Sequence, residues 1–112
     1  MAQDFERSLN RNISNSSGSA TTIRAAANSD DAIIGIRCAN TSTSSVTVTV
    51  YVENSSTIYY LIKDAPISSG GSLELIDGAS KVVLQSGDAV KAFSDTASAV
   101  DIIVSAVDTI SS

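Results

Sequence analysis

The chain has 112 residues, 43% of them hydrophobic, 17% charged and 4% aromatic, with a formal net charge of −5. That length builds one domain around one small core. The absence of histidine removes the usual general base and the commonest metal ligand, which excludes Ser-His-Asp and Cys-His catalysis; the seven Lys and Arg residues are too scattered to bind a phosphate backbone.

At the N-terminus, Phe5, Leu9 and Ile13 recur at i, i+4 and i+8 among Asp4, Glu6, Arg7 and Arg11. This spacing predicts one or two helical turns with a narrow apolar stripe. Asn10, Asn12, Asn15 and the stretch SNSSGS end such a helix, and so short a helix is marginal alone. Residues 1–17 therefore read as an N-terminal arm. It docks through Phe5, Leu9 and Ile13 on its own domain or a neighbouring subunit, or it is disordered. A β-domain over residues 18–112 follows, and it should stay folded without the arm.

From Gly18 onward the pattern has period two. Residues 21–26 form a weak first strand, closed by a turn at Asp30 and Asp31. In residues 32–40 (AIIGIRCAN), Ile34, Ile36 and Cys38 share one face, and Ile33, Gly35, Arg37 and Ala39 the other. The loop NTSTSS consists of residues that bond their own backbone. Residues 46–53 set Val46, Val48, Val50 and Val52 against Thr47, Thr49, Tyr51 and Glu53. After Asn54-Ser55-Ser56 the chain returns over 57–63, with Ile58, Tyr60 and Ile62 alternating with Tyr59, Leu61 and Lys63. Residues 64–71 (DAPISSGG) read as a loop carrying the single proline, Pro66. Short strands at 73–76 and 81–85 close on Asp77-Gly78 and on Ser86-Gly87-Asp88, both hairpin-type turns. Residues 89–94 and 100–107 complete the series. In the last strand Val100, Ile102, Val104 and Ala106 oppose Asp101, Ile103, Ser105 and Val107.

Roughly eight short strands, with turn signals at the spacing typical of sandwiches, specify an all-β antiparallel β-sandwich or jelly-roll-like fold. A parallel sheet would need crossover helices for which the chain has no room. The valine-rich strands at 46–52 and 100–104 are the expected sheet centres.

Little in the chain points to chemistry. The single cysteine, Cys38, lies in an apolar strand and reads as a buried small hydrophobe. Zinc needs more thiolates than one, and Asp30-Asp31 or Asp77-Gly78 alone do not make a calcium loop. Glu53, Glu74, Asp77, Asp88, Asp95 and Asp101 supply carboxylates, but no pattern sets two of them in an apolar cleft. The glycines of SSGGS and DGAS do not open a helix after a strand, so neither is a phosphate loop. No cofactor and no metal are expected. Tyr51, Tyr59 and Tyr60 read first as cross-strand partners and second as a protein or carbohydrate contact patch. The N-terminus lacks a signal-peptide core, and no apolar run approaches the roughly 18 residues of a membrane span, so neither classical secretion nor a membrane partner is expected.

The succession IIGIRCAN, VTVTVYV, YYLIKDAPISSGGSLELIDG, KVVLQSGDAVKAFS and DIIVSAV resembles small β-sandwich virion structural proteins of tailed bacteriophages, particularly those of cyanophages. The likeness covers roughly residues 20–110, and its most telling pieces are residues 66–78 and 84–90. It implies a non-enzymatic particle component, foremost a capsid decoration or cement protein bound to the major capsid protein as a homo-oligomer, a trimer or ring. A neck or tail component, such as a head-to-tail connector or fibre-attachment protein, is the alternative. A carbohydrate-binding module built on the tyrosines is a further one. The implied location is the virion, assembled in the bacterial host cytoplasm. With residues 1–17 as anchor, Phe5, Leu9, Ile13, Tyr51 and Tyr59 are the expected partner-binding residues.

Overall fold

Period-two aliphatic segments bury one face each and so must pack as layered sheets. The computed structural model describes residues 4–11, 13–24, 31–76 and 82–108. It contains strands β1 (Asp4–Asn10), β2 (Thr21–Arg24), β3 (Asp31–Asn40), β4 (Val46–Asn54), β5 (Thr57–Ile67), β6 (Ser72–Ile76), β7 (Val82–Leu84), β8 (Ala89–Ser94) and β9 (Val100–Asp108). The first sheet has the order β1-β9-β3-β6, with β7 also paired to β3; the second has the order β2-β8-β4-β5. Every pairing is antiparallel. Apart from β7, the chain is one long hairpin that joins β1 to β9, β2 to β8, β3 to β6 and β4 to β5. Rolling it sends these pairs alternately to opposite sheets, which is a jelly roll. The fold is thus the all-β sandwich that the strand pattern specifies, and β4 and β9 are central in their sheets as expected.

The core lies between the sheets. Val46, Val48 and Val50 of β4 meet Val100, Ile102, Val104 and Ala106 of β9, and Ile23, Ile33, Ile36, Cys38, Leu84 and Val90 complete it. Two details depart from simple alternation. In β3 the register shifts between Ile33 and Gly35, a bulge that adds one residue and reverses the side-chain phase. Ile33, Ile36 and Cys38 consequently point inward while Ile34 is only half-buried, so the expected Ile34–Ile36–Cys38 face is corrected. In β5 the register shifts twice, around Lys63-Asp64 and at Leu61. Tyr59 and Ile62 therefore share a side, which corrects the grouping of Ile62 with Tyr60. β5 also continues through Pro66 to Ile67, where a loop was expected. Pro66 is tolerated because β5 is an edge strand. The 41–45 loop is held as the sequence implies. Asn40 Nδ2 donates to the Ser44 and Ile67 carbonyls at 2.8 and 2.9 Å, and its Oδ1 accepts from the Ser42 N–H. The expected strand residues Ala25, Ala26 and Lys81 and the turn residues Asp30, Asp77 and Gly78 lie outside the described residues.

The N-terminal segment is the main correction. Residues 4–10 are not helical turns but the edge strand of the first sheet, paired with β9 from Asp4↔Asp108 to Asn10↔Ile102. Ile13 is fully buried in the core. Its N–H donates to the Val100 carbonyl at 3.4 Å and its carbonyl accepts from the Ser98 N–H at 3.3 Å. The inward side of β1 is polar and fastens it to β2. Asn10 Nδ2 donates to the Ile23 and Ile102 carbonyls, each at 3.3 Å. Glu6 pairs with Arg24 at 2.9 Å, and Arg24 pairs with Asp31 at 3.1 Å. Burial lowers the Arg24 pKa, but the hydrogen bonds to Asp31 and Glu6 outweigh it and the net shift is upward, so a charged guanidinium closes this side of the sandwich. Residues 1–17 are therefore partly built into the domain rather than standing apart from it.

Candidate assembly interface

Because the inward side of β1 is polar, its apolar residue Leu9 faces out and is 62% exposed. It stands opposite Ile103 of β9, itself 45% exposed. Ile103 is opposite Arg37 of β3, and Arg37 is opposite Glu74 of β6, with which it forms an exposed ion pair. The neighbouring row runs Arg7, Ser105, Gly35, and the β3 bulge places Ile34 beside that row, on the side away from Arg37. Ile34, Gly35, Arg37, Glu74, Ile103 and Ser105 line a depression of about 430 Å³. A second of about 490 Å³ adjoins it along Glu6, Arg7, Ile34, Ser105 and Ala106. On the same outer face Val83 of β7, opposite Ala32, is exposed. The outer face of the first sheet is thus an apolar strip of Leu9, Ile103, Ile34 and Val83 among a few charges.

The second sheet covers its own outer face. Tyr51 of β4 points outward yet is 3% exposed. Tyr60 and Phe93 pack edge-on against it, with ring centroids at 6.0 and 6.5 Å, and the Lys91–Glu53 ion pair lies beside them. Burial, helped by the Glu53 charge, raises the Tyr51 hydroxyl pKa. Lys63 sits 5.3 Å above the Tyr60 ring, a cation–π contact. At the tip of the β4–β5 hairpin Ile58, Tyr59 and Tyr60 are exposed. Tyr59 pairs with Val52 on the core side, beyond the end of the buried cluster.

Of the expected partner-binding residues, Leu9 and Tyr59 are therefore at the surface, on different sheets. Ile13 and Tyr51 are not available: one is a core side chain, the other lies beneath Tyr60 and Phe93. Phe5 is in β1 opposite Val107, and its side chain lies outside the described residues. Ile103, Val83 and the bulged Ile34 were missed. The signal for Ile103 was present, since an isoleucine on the polar phase of a central strand needs a cover. Cys38 is fully buried, and burial pushes its thiol pKa up to about 12, which makes it a poor nucleophile. Among the described residues, no group of three or more His, Cys, Asp or Glu could hold a metal ion, and no helix is long and apolar enough to cross a membrane. No protein-family model matches the chain, and no curated protein matches it significantly.

Proposed function

We propose that this chain is a non-enzymatic structural component of a tailed-phage particle, a capsid decoration protein that binds the shell as a homo-oligomer. The observation that carries the reading is the outer face of the first sheet, where Leu9 and Ile103 stand exposed on paired strands among Arg7, Arg37 and Glu74. An apolar centre with a polar rim is the anatomy of a protein–protein interface, and contiguous exposed apolar side chains mark contact sites. The jelly-roll order agrees by analogy alone, because that fold serves capsid and lectin domains alike.

The test is incorporation. Purified particles from cells producing the wild-type chain should contain it in many copies relative to the major capsid protein, measured by quantitative mass spectrometry. The double variant Leu9→Asp/Ile103→Asp, both positions being exposed, should stay folded and be lost from particles. Retention of the double variant would exclude this face. A copy number of a few per particle would instead place the chain at the neck or tail. The exposed Ile58, Tyr59 and Tyr60 favour a second reading, a glycan contact at the hairpin tip. Glycan-array binding abolished by Tyr59→Ala or Tyr60→Ala would support that reading, and a blank array would remove it.

A further inference from the structure

The sheet edges are unequally guarded. Unpaired strand edges invite further pairing, and proteins blunt them with bulges, proline, lysine or brevity. β5 carries two register shifts, Lys63 and Pro66. β2 has four residues and a register shift, and β6 and β7 have five and three residues. β1 has seven residues in unbroken register with β9 and contains neither proline nor lysine. Glu6, on its inward side, is neutralised by Arg24. Among the described residues no strand pairs with its other edge.

We propose that β1 pairs antiparallel with β1 of a second copy across a two-fold axis, joining the two first sheets into one continuous sheet. The charges choose the register. A two-fold normal to the sheet keeps inward sides together, so the axis must pass through a residue position. Centring on Glu6 opposes Glu6 with itself, and centring on Arg7 opposes Arg7 with itself. Centring on Phe5 sets Asp4 against Glu6, and on Leu9 it sets Arg7 against Arg11. Centring on Ser8 opposes Ser8 with Ser8, Arg7 with Leu9 and Glu6 with Asn10, and sets no like charges face to face. Registers beyond Leu9 run off the end of the strand. Like charges directly opposite are destabilising and polar or mixed pairs are not, so the Ser8-centred register is selected. It is a two-fold contact, where the sequence led to the expectation of a trimer or ring. Both outer faces then lie on one side, and the row Arg37, Ile103, Leu9 continues into Arg7 and Ser105 of the second copy. The pairing does not depend on the particle reading.

Sedimentation velocity on the full chain tests it, expected to give a species of twice the 11.5 kDa chain mass. Leu9 is exposed and stands opposite Arg7 of the second copy, twice per dimer. Leu9→Glu should therefore tighten the dimer and Leu9→Arg weaken it, each by about tenfold in Kd. Under mild oxidation Ser8→Cys should form a disulfide-linked dimer and Arg7→Cys should not, while the buried Cys38 stays out of the reaction. A monomer up to the solubility limit, a trimer or larger ring, Leu9 variants that shift Kd in the same direction, or cross-linking through Arg7→Cys instead would each overturn the proposal.

Discussion

Leu9 and Ile13 are four residues apart and end in opposite environments, one 62% exposed and the other at 0%. Ile13→Ala leaves a cavity in a close-packed cluster and should cost about 2–5 kcal/mol. Leu9→Ala should stay within about 0.5 kcal/mol, as for an ordinary surface change. Urea unfolding of the two variants checks both values, and equal losses would contradict the burial. Cys38 gives a prediction in pH. Its thiol pKa rises from 9.0 to about 12 on folding, so between those values the folded chain keeps a proton that the unfolded chain gives up. The resulting stability is complete below pH 9 and is lost as the pH climbs towards 12, by about 1.4 kcal/mol per unit. The upward shifts at Tyr51 and Lys91 act in the same direction. Thermal melts over this range should show a steep alkaline decline that Cys38→Ala flattens; an unchanged slope in the variant would show that the thiol is not its source.

At the scale of the strand, bulges decide what each face presents. In β5, Asp64 adopts φ 52° and its N–H donates to Thr49 Oγ1 at 3.0 Å, which anchors the strand where the ladder is interrupted. Thr49 is 1% exposed, so Thr49→Val keeps the shape but leaves that N–H without its acceptor. The expected cost is about 1–3 kcal/mol, measured by chemical denaturation against the wild type. A neutral Thr49→Val would mean that water or relaxation replaces the bond. The same bulges explain what the sequence conceals. Strands β2 to β9 are legible, except for the end of β5 past Lys63, because β-branched residues alternate with polar ones between turn residues, and Val46, Val48, Val50, Ile102 and Val104 are buried as their phase requires. Ile33, Ile34 and Ile36 are chemically alike, so nothing in the sequence says which is extruded at the bulge. The spacing of Phe5 and Leu9 satisfies both a helical period and a strand period. The decisive feature, the polar inward side of β1, appears only once Glu6 and Asn10 meet Arg24 and the Ile23 carbonyl. Tyr51 looked available because its outward phase was legible, whereas the cover from Tyr60 and Phe93 depends on a register that the bulge at Leu61 sets.

For the molecule as a whole, the first sheet depends on its N-terminal edge. Removing residues 1–17 would take away β1 and Ile13 together. The far edge of β9 would lose its ladder, and Arg24 would lose Glu6. The carbonyls of Ile23 and Ile102 would lose Asn10. A domain of this size is stable by only about 5–15 kcal/mol, and loss of the Ile13 side chain alone removes about 2–5 kcal/mol. The chain starting at residue 18 should therefore melt at least roughly 10 °C below the full chain or lose its cooperative transition. It should also associate through the uncovered β9, whose Val100–Asp108 run is β-branched at five positions and would become an exposed edge. Calorimetry and gel filtration of the truncated and full-length chains distinguish the cases. A truncated chain that melts at the same temperature and stays monodisperse would show that the first seventeen residues are a detachable arm after all. In that event Ile13 and the Glu6–Arg24–Asp31 chain of charges contribute nothing measurable, and the surface offered to a partner would have to be sought on a sheet that begins at β9.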